Sequence, residues 1–565
     1  MKNIFNALFA TTLILVSCAP TEEFDILIKN GMVYDGSGDS PQQVDIGING
    51  NQIVKIGNLN NAKSENVINA SAKVVAPGFI NMLSWSTESL IQDGRSLGDI
   101  KQGVTLEVMG EGWSMGPLNA QMKANEKAFQ KDIVYDIEWN TLGEYLEYLE
   151  RKGVSTNVAS FVGATTLRMN ELEEENRAPT VEELMRMKAL ARQAMEEGAM
   201  GIGSSLIYAP AFYAKTDELI ELCKVASEYG GMYISHLRSE GDYWMEAIDE
   251  LLKIAHDADI AAEIYHLKAG GKANWPKWEK AIAKIDSARA AGLKITTDMY
   301  NYTAGATGLD ASMPPWVQEG GYIEWANRLK DPAIRKKVKK EMKDKGDNWE
   351  NLYFAAGDAS KLKLVGFRND NLRHLTGKTL AEVAEMRGQD PEDVAMDLVI
   401  EDSSRVGTVY FLMSEENVKK QIKIPYMSFG SDAASMAPEP PFTNSSTHPR
   451  SYGNFARLLG KYVRDEKVIS MQEAIYKLTS LPASNLKIRK RGVLKEGYYA
   501  DVVVFDPETI ADKATFDDPH QFSIGMSHVV VNGEQVLKDG EHTGATPGKV
   551  VRGPGWTGWK DLDKK

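Results

Sequence analysis

The central part of the chain alternates short apolar runs with amphipathic segments of helical period. Residues 181–198, 216–230, 244–258 and 278–292 have the helical period. Strand-like apolar runs lie at residues 74–83, 104–110, 156–162, 200–207, 232–235, 261–265, 294–297 and 424–430. Alternating strands and helices favour a parallel sheet, and eight strands are the number that a closed barrel requires. The pattern predicts an α/β fold built on a (β/α)8 TIM barrel.

Both chain ends contain short alternating strands separated by turn residues. They predict one small β-sandwich domain formed by both ends, from residues 24–75 and 485–545, around a barrel of residues 76–484. Residues from about 313 to 397 are irregular and too long for one crossover helix, so we expect an insertion there. We expect the tail, residues 546–565, to wrap loosely over the β-sandwich or to stay mobile.

The first residues have the features of an export signal. Lys2 is positive, residues 8–16 are apolar, and Leu15-Val16-Ser17-Cys18 resembles the lipobox at which bacterial lipoproteins are cleaved and acylated. This predicts a lipoprotein signal peptide over residues 1–18 and a lipid anchor at Cys18. The protein would then be exported and membrane-anchored, facing the periplasm or the cell surface. A plain secretory signal with a chance cysteine is the alternative.

Charge and cysteine content exclude other classes. The 565 residues include 65 Lys and Arg against 79 Asp and Glu, a formal charge of −14, without a basic stripe. We therefore expect no nucleic-acid partner. The two cysteines, Cys18 and Cys223, are too far apart to indicate a disulfide framework or a zinc knuckle. The oligomeric state stays open.

Polar residues that end the apolar runs are the candidates for chemistry, because barrel sites lie at the carboxyl ends of strands. His236 and His266 end consecutive runs in the similar patterns Ser-His-Leu-Arg and Tyr-His-Leu-Lys. With Glu111 they make three ligands with one open position, as in catalytic zinc sites. We predict one Zn²⁺ per chain, with another divalent metal as the alternative. Polar lining of the barrel is the simpler interpretation of each histidine alone.

Other residues near the same strand ends could act on a substrate. Asp432 ends the eighth run, where a carboxylate can take a proton from attacking water and pass it to a leaving nitrogen; a helix cap is the alternative. Asp298 ends the seventh run and is the second candidate. Arg450 suits a substrate carboxylate, or pairs with a surface acid. Weaker candidates for substrate binding are Lys268, Arg238, Tyr208 and Tyr300.

A series of motifs resembles one known family. They are Ala76-Pro77-Gly78-Phe79-Ile80, Gln102-Gly103-Val104-Thr105, Leu206-Ile207-Tyr208-Ala209-Pro210, His266-Leu267-Lys268, Gly430-Ser431-Asp432, His448-Pro449-Arg450-Ser451-Tyr452-Gly453, Thr479-Ser480-Leu481-Pro482-Ala483, Lys495-Glu496-Gly497-Tyr498-Tyr499-Ala500-Asp501 and Val531-Asn532-Gly533. From about Phe24 to Gly555, the chain resembles the D-aminoacylase (N-acyl-D-amino-acid deacylase) branch of the amidohydrolase superfamily.

The resemblance implies a barrel that carries a β-sandwich, zinc at the strand ends and hydrolysis of an acylated D-amino acid. It implies metal binding by His236 and His266, catalysis by Asp432, and contacts of Arg450 and Lys268 with the substrate carboxylate. Tyr208 and Tyr300 lie in motifs that line the family's pocket.

Two departures from the family pattern bear on the metal. The first strand of the family ends in His-x-His, whereas this chain has Leu83-Ser84-Trp85, which cannot bind zinc. The family often has a cysteine after the second strand, whereas Glu111 stands here and can serve as an oxygen ligand. These departures favour a single metal ion.

The leading hypothesis is a metal-dependent hydrolase that cleaves the amide bond of N-acyl-D-amino acids or related N-acyl compounds, with Asp432 as proton shuttle. A cyclic amidase or dipeptidase is an alternative, because fold and metal do not determine the substrate. Another alternative is a ligand-binding lipoprotein that derives from an amidohydrolase and no longer hydrolyses its ligand. The acyl group, the amino acid and its chirality stay open.

Overall fold

The central barrel has eight parallel strands and is closed. A computed structural model describes residues 22–562. The barrel strands are β1 (Phe79–Asn81), β2 (Val104–Met109), β3 (Asn157–Ser160, continued by Val162–Gly163), β4 (Gly201–Ser205), β5 (Met232–His236), β6 (Ala261–Ile264), β7 (Ile295–Met299) and β8 (Met427–Phe429). Each pairs in parallel with the next. The Met82 N–H donates to the Phe429 carbonyl at 3.1 Å, which joins β1 to β8. The predicted barrel is confirmed.

Helices connect the strands and cover the outside of the barrel. They include Leu142–Lys152, Ala164–Leu172, Val181–Glu196, Thr216–Glu228, Trp244–Asp257, Trp278–Ala290, Glu415–Ile422, Arg450–Arg457 and Met471–Leu478. The helix over Val181–Glu196 begins where it does because Thr180 and Glu183 form a reciprocal capping box. Among the described residues, no helix combines the length and apolarity needed to cross a bilayer.

The two chain ends together form a sandwich of two sheets, as predicted. One sheet has the order Gln52–Gly57, Asp45–Asn49, Ile26–Lys29, Asn66–Asn69. The other has the order Glu541–His542, Glu534–Lys538, Met526–Val531, Val502–Phe505, Val74–Pro77, Met32–Val33, Gln42–Gln43. Buried side chains from both sheets, including Ile46, Ile53 and Val502, form their common core. The apolar run at 74–83 is therefore two strands, of which the first belongs to the sandwich and the second to the barrel.

The inserted subdomain is larger than the sequence pattern indicated. Its core extends from Tyr300 to Met413, beyond the expected limits of 313 and 397 on both sides. A three-stranded sheet of Gly305–Gly308, Gly407–Tyr410 and Leu362–Gly366 supports helices at Gly321–Arg328, Pro332–Lys343, Leu380–Arg387 and Pro391–Asp402. The periodic pattern missed its edges because the strands outside the expected limits, Gly305–Gly308 and Gly407–Tyr410, are rich in glycine and threonine and form no apolar run.

The tail packs against the barrel, which corrects the expectation that it wraps loosely over the sandwich or stays mobile. The Val158 N–H of β3 donates to the Lys549 carbonyl at 3.0 Å, and the Val551 N–H donates to the Val158 carbonyl at 2.8 Å. Val551 is 7% exposed and belongs to the cluster of side chains at the barrel core.

We expect Val551→Ala to destabilise the protein, because it removes two buried carbon atoms from this contact. The loss should be about 2 kcal/mol, seen as a lower midpoint of thermal or denaturant unfolding. The matched control is Val134→Ala, since Val134 is 72% exposed and its substitution should leave the midpoint unchanged. Equal midpoints for the two variants would contradict the docked tail.

Candidate metal centre

Glu111, His236 and His266 meet at the rim formed by the carboxyl ends of the strands. Glu111 follows β2, His236 ends β5 and His266 follows β6. The Oε1 atom of Glu111 lies 3.0 Å from Nδ1 of His236 and 3.1 Å from Nε2 of His266. All three side chains are buried, and their ligand atoms lie within 4.8 Å of one another.

This donor set fits a small divalent metal ion. Ligand atoms at zinc–ligand distances of about 2.0–2.1 Å are separated by about 3.3 Å in a tetrahedron, close to the spacing seen here. Burial acts to raise the pKa of Glu111, but hydrogen bonds with His236 and His266 outweigh it and lower the pKa to about 2. Glu111 is therefore ionised, which is the form that binds a metal.

Glu240 lies behind both histidines and is within hydrogen-bond distance of His266, and the sequence analysis missed it. Its Oε1 lies 2.8 Å from Nδ1 of His266, and its Oε2 lies 3.7 Å from Nε2 of His236. Burial acts to raise the pKa of Glu240, but Lys268 and the two histidines hold it well below its usual range. A carboxylate on the distal imidazole nitrogens fixes the orientation of metal-binding histidines. The only sequence signal is its position four residues after His236.

Asp298 holds the backbone of His266. His266 has a φ of 34°, a left-handed conformation that is uncommon for residues other than glycine. Its N–H donates to Oδ1 of Asp298 at 2.7 Å. This contact gives Asp298 a positioning role.

Asp432 lines the same cavity as the histidines. It has a φ of 48°, and its N–H donates to the Leu83 carbonyl at 2.8 Å. Its Oδ2 lies 2.7 Å from Nη1 of Arg450. Burial raises the pKa of Asp432, and Arg450 only partly offsets this. A raised pKa makes the carboxylate a better proton acceptor.

A cavity of about 670 Å³ opens over these groups. Its wall includes four residues that the sequence analysis gave as candidates for substrate binding: Lys268, Arg450, Tyr208 and Tyr300. The Tyr300 ring centroid lies 4.3 Å from the Arg450 guanidinium carbon and 5.5 Å from Lys268 Nζ. Lys268 Nζ also lies 2.6 Å from Oε1 of Glu240 and 2.7 Å from Nδ1 of His266. Lys268 therefore contacts the metal centre as well as the cavity.

Arg238 does not join this group, which corrects its expected substrate contact. Its guanidinium donates to Glu250 and to the carbonyls of Phe212 and Ala214, at 2.8 to 2.9 Å. Because β5 ends at His236, the chain turns before Arg238 and the side chain points to a neighbouring helix. Arg405, from the insertion, lines the cavity instead. The irregular pattern around it gave no signal.

A closed barrel with two histidines and two carboxylates at the carboxyl rim of its strands, facing one cavity, defines a metal-dependent hydrolase site. The chain belongs to the amidohydrolase family, whose sequence pattern matches residues 66–537. It is 32% identical over 540 residues to a D-aminoacylase of Alcaligenes xylosoxydans xylosoxydans, covering 95% of this chain and 99% of that protein. An N-acyl-D-glutamate deacylase of the same organism is 31% identical, with 94% and 97% covered.

Two solved structures of the same kinds of enzyme also resemble this chain. The N-acyl-D-glutamate deacylase of Bordetella bronchiseptica, complexed with zinc and a phosphonate inhibitor, matches with a TM-score of 0.78 and 29% identity, covering 94% of this chain and all of that one. A D-aminoacylase described as having a binuclear metal center, with one-metal activation and second-metal attenuation, matches with a TM-score of 0.77 and 30% identity over the same shares. The resemblance found in the sequence is confirmed.

We expect Glu240→Gln to weaken zinc binding by about 10- to 100-fold, because an amide carries no charge to support the imidazole of His266. Competition with a chromophoric chelator measures this directly. Glu246→Gln, at an exposed position on the helix Trp244–Asp257, is the control and should bind zinc like the parent protein. Unchanged affinity in Glu240→Gln would contradict the supporting role.

Proposed function

We propose that this protein is a metal-dependent hydrolase that cleaves the amide bond of N-acyl-D-amino acids or related N-acyl compounds. The observation that carries the proposal is the convergence of Glu111, His236 and His266 in a cavity that Asp432 also lines. The relatives named above support the N-acyl-D-amino-acid class. One zinc ion per chain is the proposed cofactor, since the three ligands form a single group.

Each residue of the site has a defined task in this reaction. Glu111, His236 and His266 would hold the ion, which supplies Lewis-acid activation of water and of the acyl carbonyl. Asp432 accepts a proton from the attacking water and delivers it to the leaving nitrogen, so the amine departs neutral and the carboxylate is regenerated.

Arg450 and Lys268 are proposed to hold the substrate carboxylate. Arg450 Nε is buried and makes no hydrogen bond to any residue that the structure describes. A buried N–H group without a partner is costly, and an anionic ligand would satisfy it. Lys268 and this guanidinium both lie close to the Tyr300 ring, and all three residues line the cavity.

Hydrolysis of a panel of N-acyl D- and L-amino acids, dipeptides and cyclic amides by the zinc-loaded protein tests the proposal. N-acyl-D-amino acids should be the best substrates. Preference for cyclic amides or dipeptides would instead identify a cyclic amidase or dipeptidase. Ligand binding without turnover by the zinc-loaded protein would identify a binding protein.

We expect Asp432→Asn to retain zinc and fold but to lose about 10²- to 10⁴-fold in kcat on the best substrate, because an amide cannot carry the proton. The effect on KM should be smaller, since Arg450 and Lys268 remain. Steady-state kinetics and metal analysis check both parts. Asp136→Asn, whose side chain is 79% exposed in the parent protein, is the control. A near-normal kcat in Asp432→Asn would assign the proton transfer to another group.

We also propose that the protein is an exported lipoprotein anchored through Cys18. The support is the sequence of residues 1–18, which lie outside the described residues. Cys18→Ala should abolish incorporation of labelled fatty acid and leave the protein outside the membrane fraction. Continued labelling of that variant would show that the anchor is elsewhere.

A further inference from the structure

The indole of Trp85 lies between the two carboxylates that face the cavity. Its Nε1–H donates to Oε2 of Glu111 at 3.0 Å and to Oδ1 of Asp432 at 3.2 Å. The backbone fixes this position, since the Trp85 N–H donates to the Ala433 carbonyl at 3.0 Å. One donor therefore connects the metal ligand after β2 to the proton-carrying group after β8.

Two carboxylate oxygens, Oε2 of Glu111 and Oδ1 of Asp432, converge on the position of the indole N–H. The remaining oxygens are engaged elsewhere, because Oε1 of Glu111 faces the histidines and Oδ2 of Asp432 faces Arg450. A cation would be attracted to this position. An indole N–H is a donor without a lone pair, so it satisfies both oxygens and cannot bind a metal.

We propose that Trp85 occupies a second cation position, limits the centre to one metal ion and aligns Asp432 for proton transfer. The kinetic part of this proposal rests on the proposed hydrolase function, whereas the metal-binding part does not. Trp85 is a positioning residue in this account, because it acts through Asp432 and Glu111.

Counting metal ions tests the first part. Trp85→His places an imidazole, which has a lone pair, between the two oxygens and completes a second ligand set. After dialysis against excess zinc, metal analysis should find one tightly held ion in the parent protein and two in Trp85→His. Two ions in the parent protein, or one in a folded Trp85→His, would overturn the proposal. Thermal unfolding shows whether the variant is folded.

Trp85→Phe tests the second part, because it keeps an aromatic ring and removes the N–H donor together with part of the indole. It should keep one zinc ion and lose about tenfold to a hundredfold in kcat, with a much smaller change in KM. Trp316→Phe is the matched control, since Trp316 Nε1–H donates to the Glu341 carboxylate at 2.8 Å in the insertion. A parental kcat in Trp85→Phe would overturn the alignment of Asp432.

The two experiments also separate this proposal from the proposed function. Absence of turnover on every amide of the panel would reject the hydrolase function. The zinc counts of the parent protein and of Trp85→His would still decide whether Trp85 excludes a second ion.

Discussion

The structure of the site depends on the hydrogen bonds that close the barrel between β1 and β8. The Met82 N–H donates to the Phe429 carbonyl at 3.1 Å, and the Asp432 N–H donates to the Leu83 carbonyl at 2.8 Å. These bonds join segments about 350 residues apart in the sequence and place Asp432 beside Trp85. Without closure, the proton-carrying group would have no fixed relation to the metal ligands on β2, β5 and β6. Closure of the barrel therefore determines the positions of the reacting groups as well as the stability of the fold.

The insertion contributes to the same centre from outside the barrel. Glu350 accepts hydrogen bonds through Oε2 from the Glu240 N–H at 2.6 Å and from the Gly241 N–H at 3.2 Å. It thereby fixes the loop from which Glu240 reaches the histidines. Arg405, from the same insertion, lies with its guanidinium carbon 4.9 Å from the Tyr208 ring centroid. Ligand orientation and the shape of the cavity wall thus both depend on a subdomain that the barrel itself does not require.

Periodicity predicted the barrel strands well because strands buried on both faces give continuous apolar runs. The polar residues at the ends of the apolar runs then identified Glu111, His236, His266 and Asp432. It gave the wrong environment for Arg238, although Ser-His-Leu-Arg and Tyr-His-Leu-Lys look alike, because the direction of a side chain two residues beyond a strand depends on the following turn. Glu240 and Trp85 were missed for the same reason: tertiary contacts place them, and no local pattern does.

The polar groups of the centre form one continuous chain of contacts. Arg450 contacts Asp432, Trp85 joins Asp432 to Glu111, and Glu111 faces both histidines. Glu240 contacts His266, and Lys268 contacts Glu240 at the end of the chain. Each carboxylate contacts at least two of these neighbours, so the loss of one neighbour leaves a buried carboxylate partly uncompensated. Arg450 and Lys268 end this chain and also line the cavity. An anion bound to them would therefore change the electrostatic environment of Asp432 and of the histidines. Substrate binding and the alignment of the catalytic groups are therefore coupled through the same contacts.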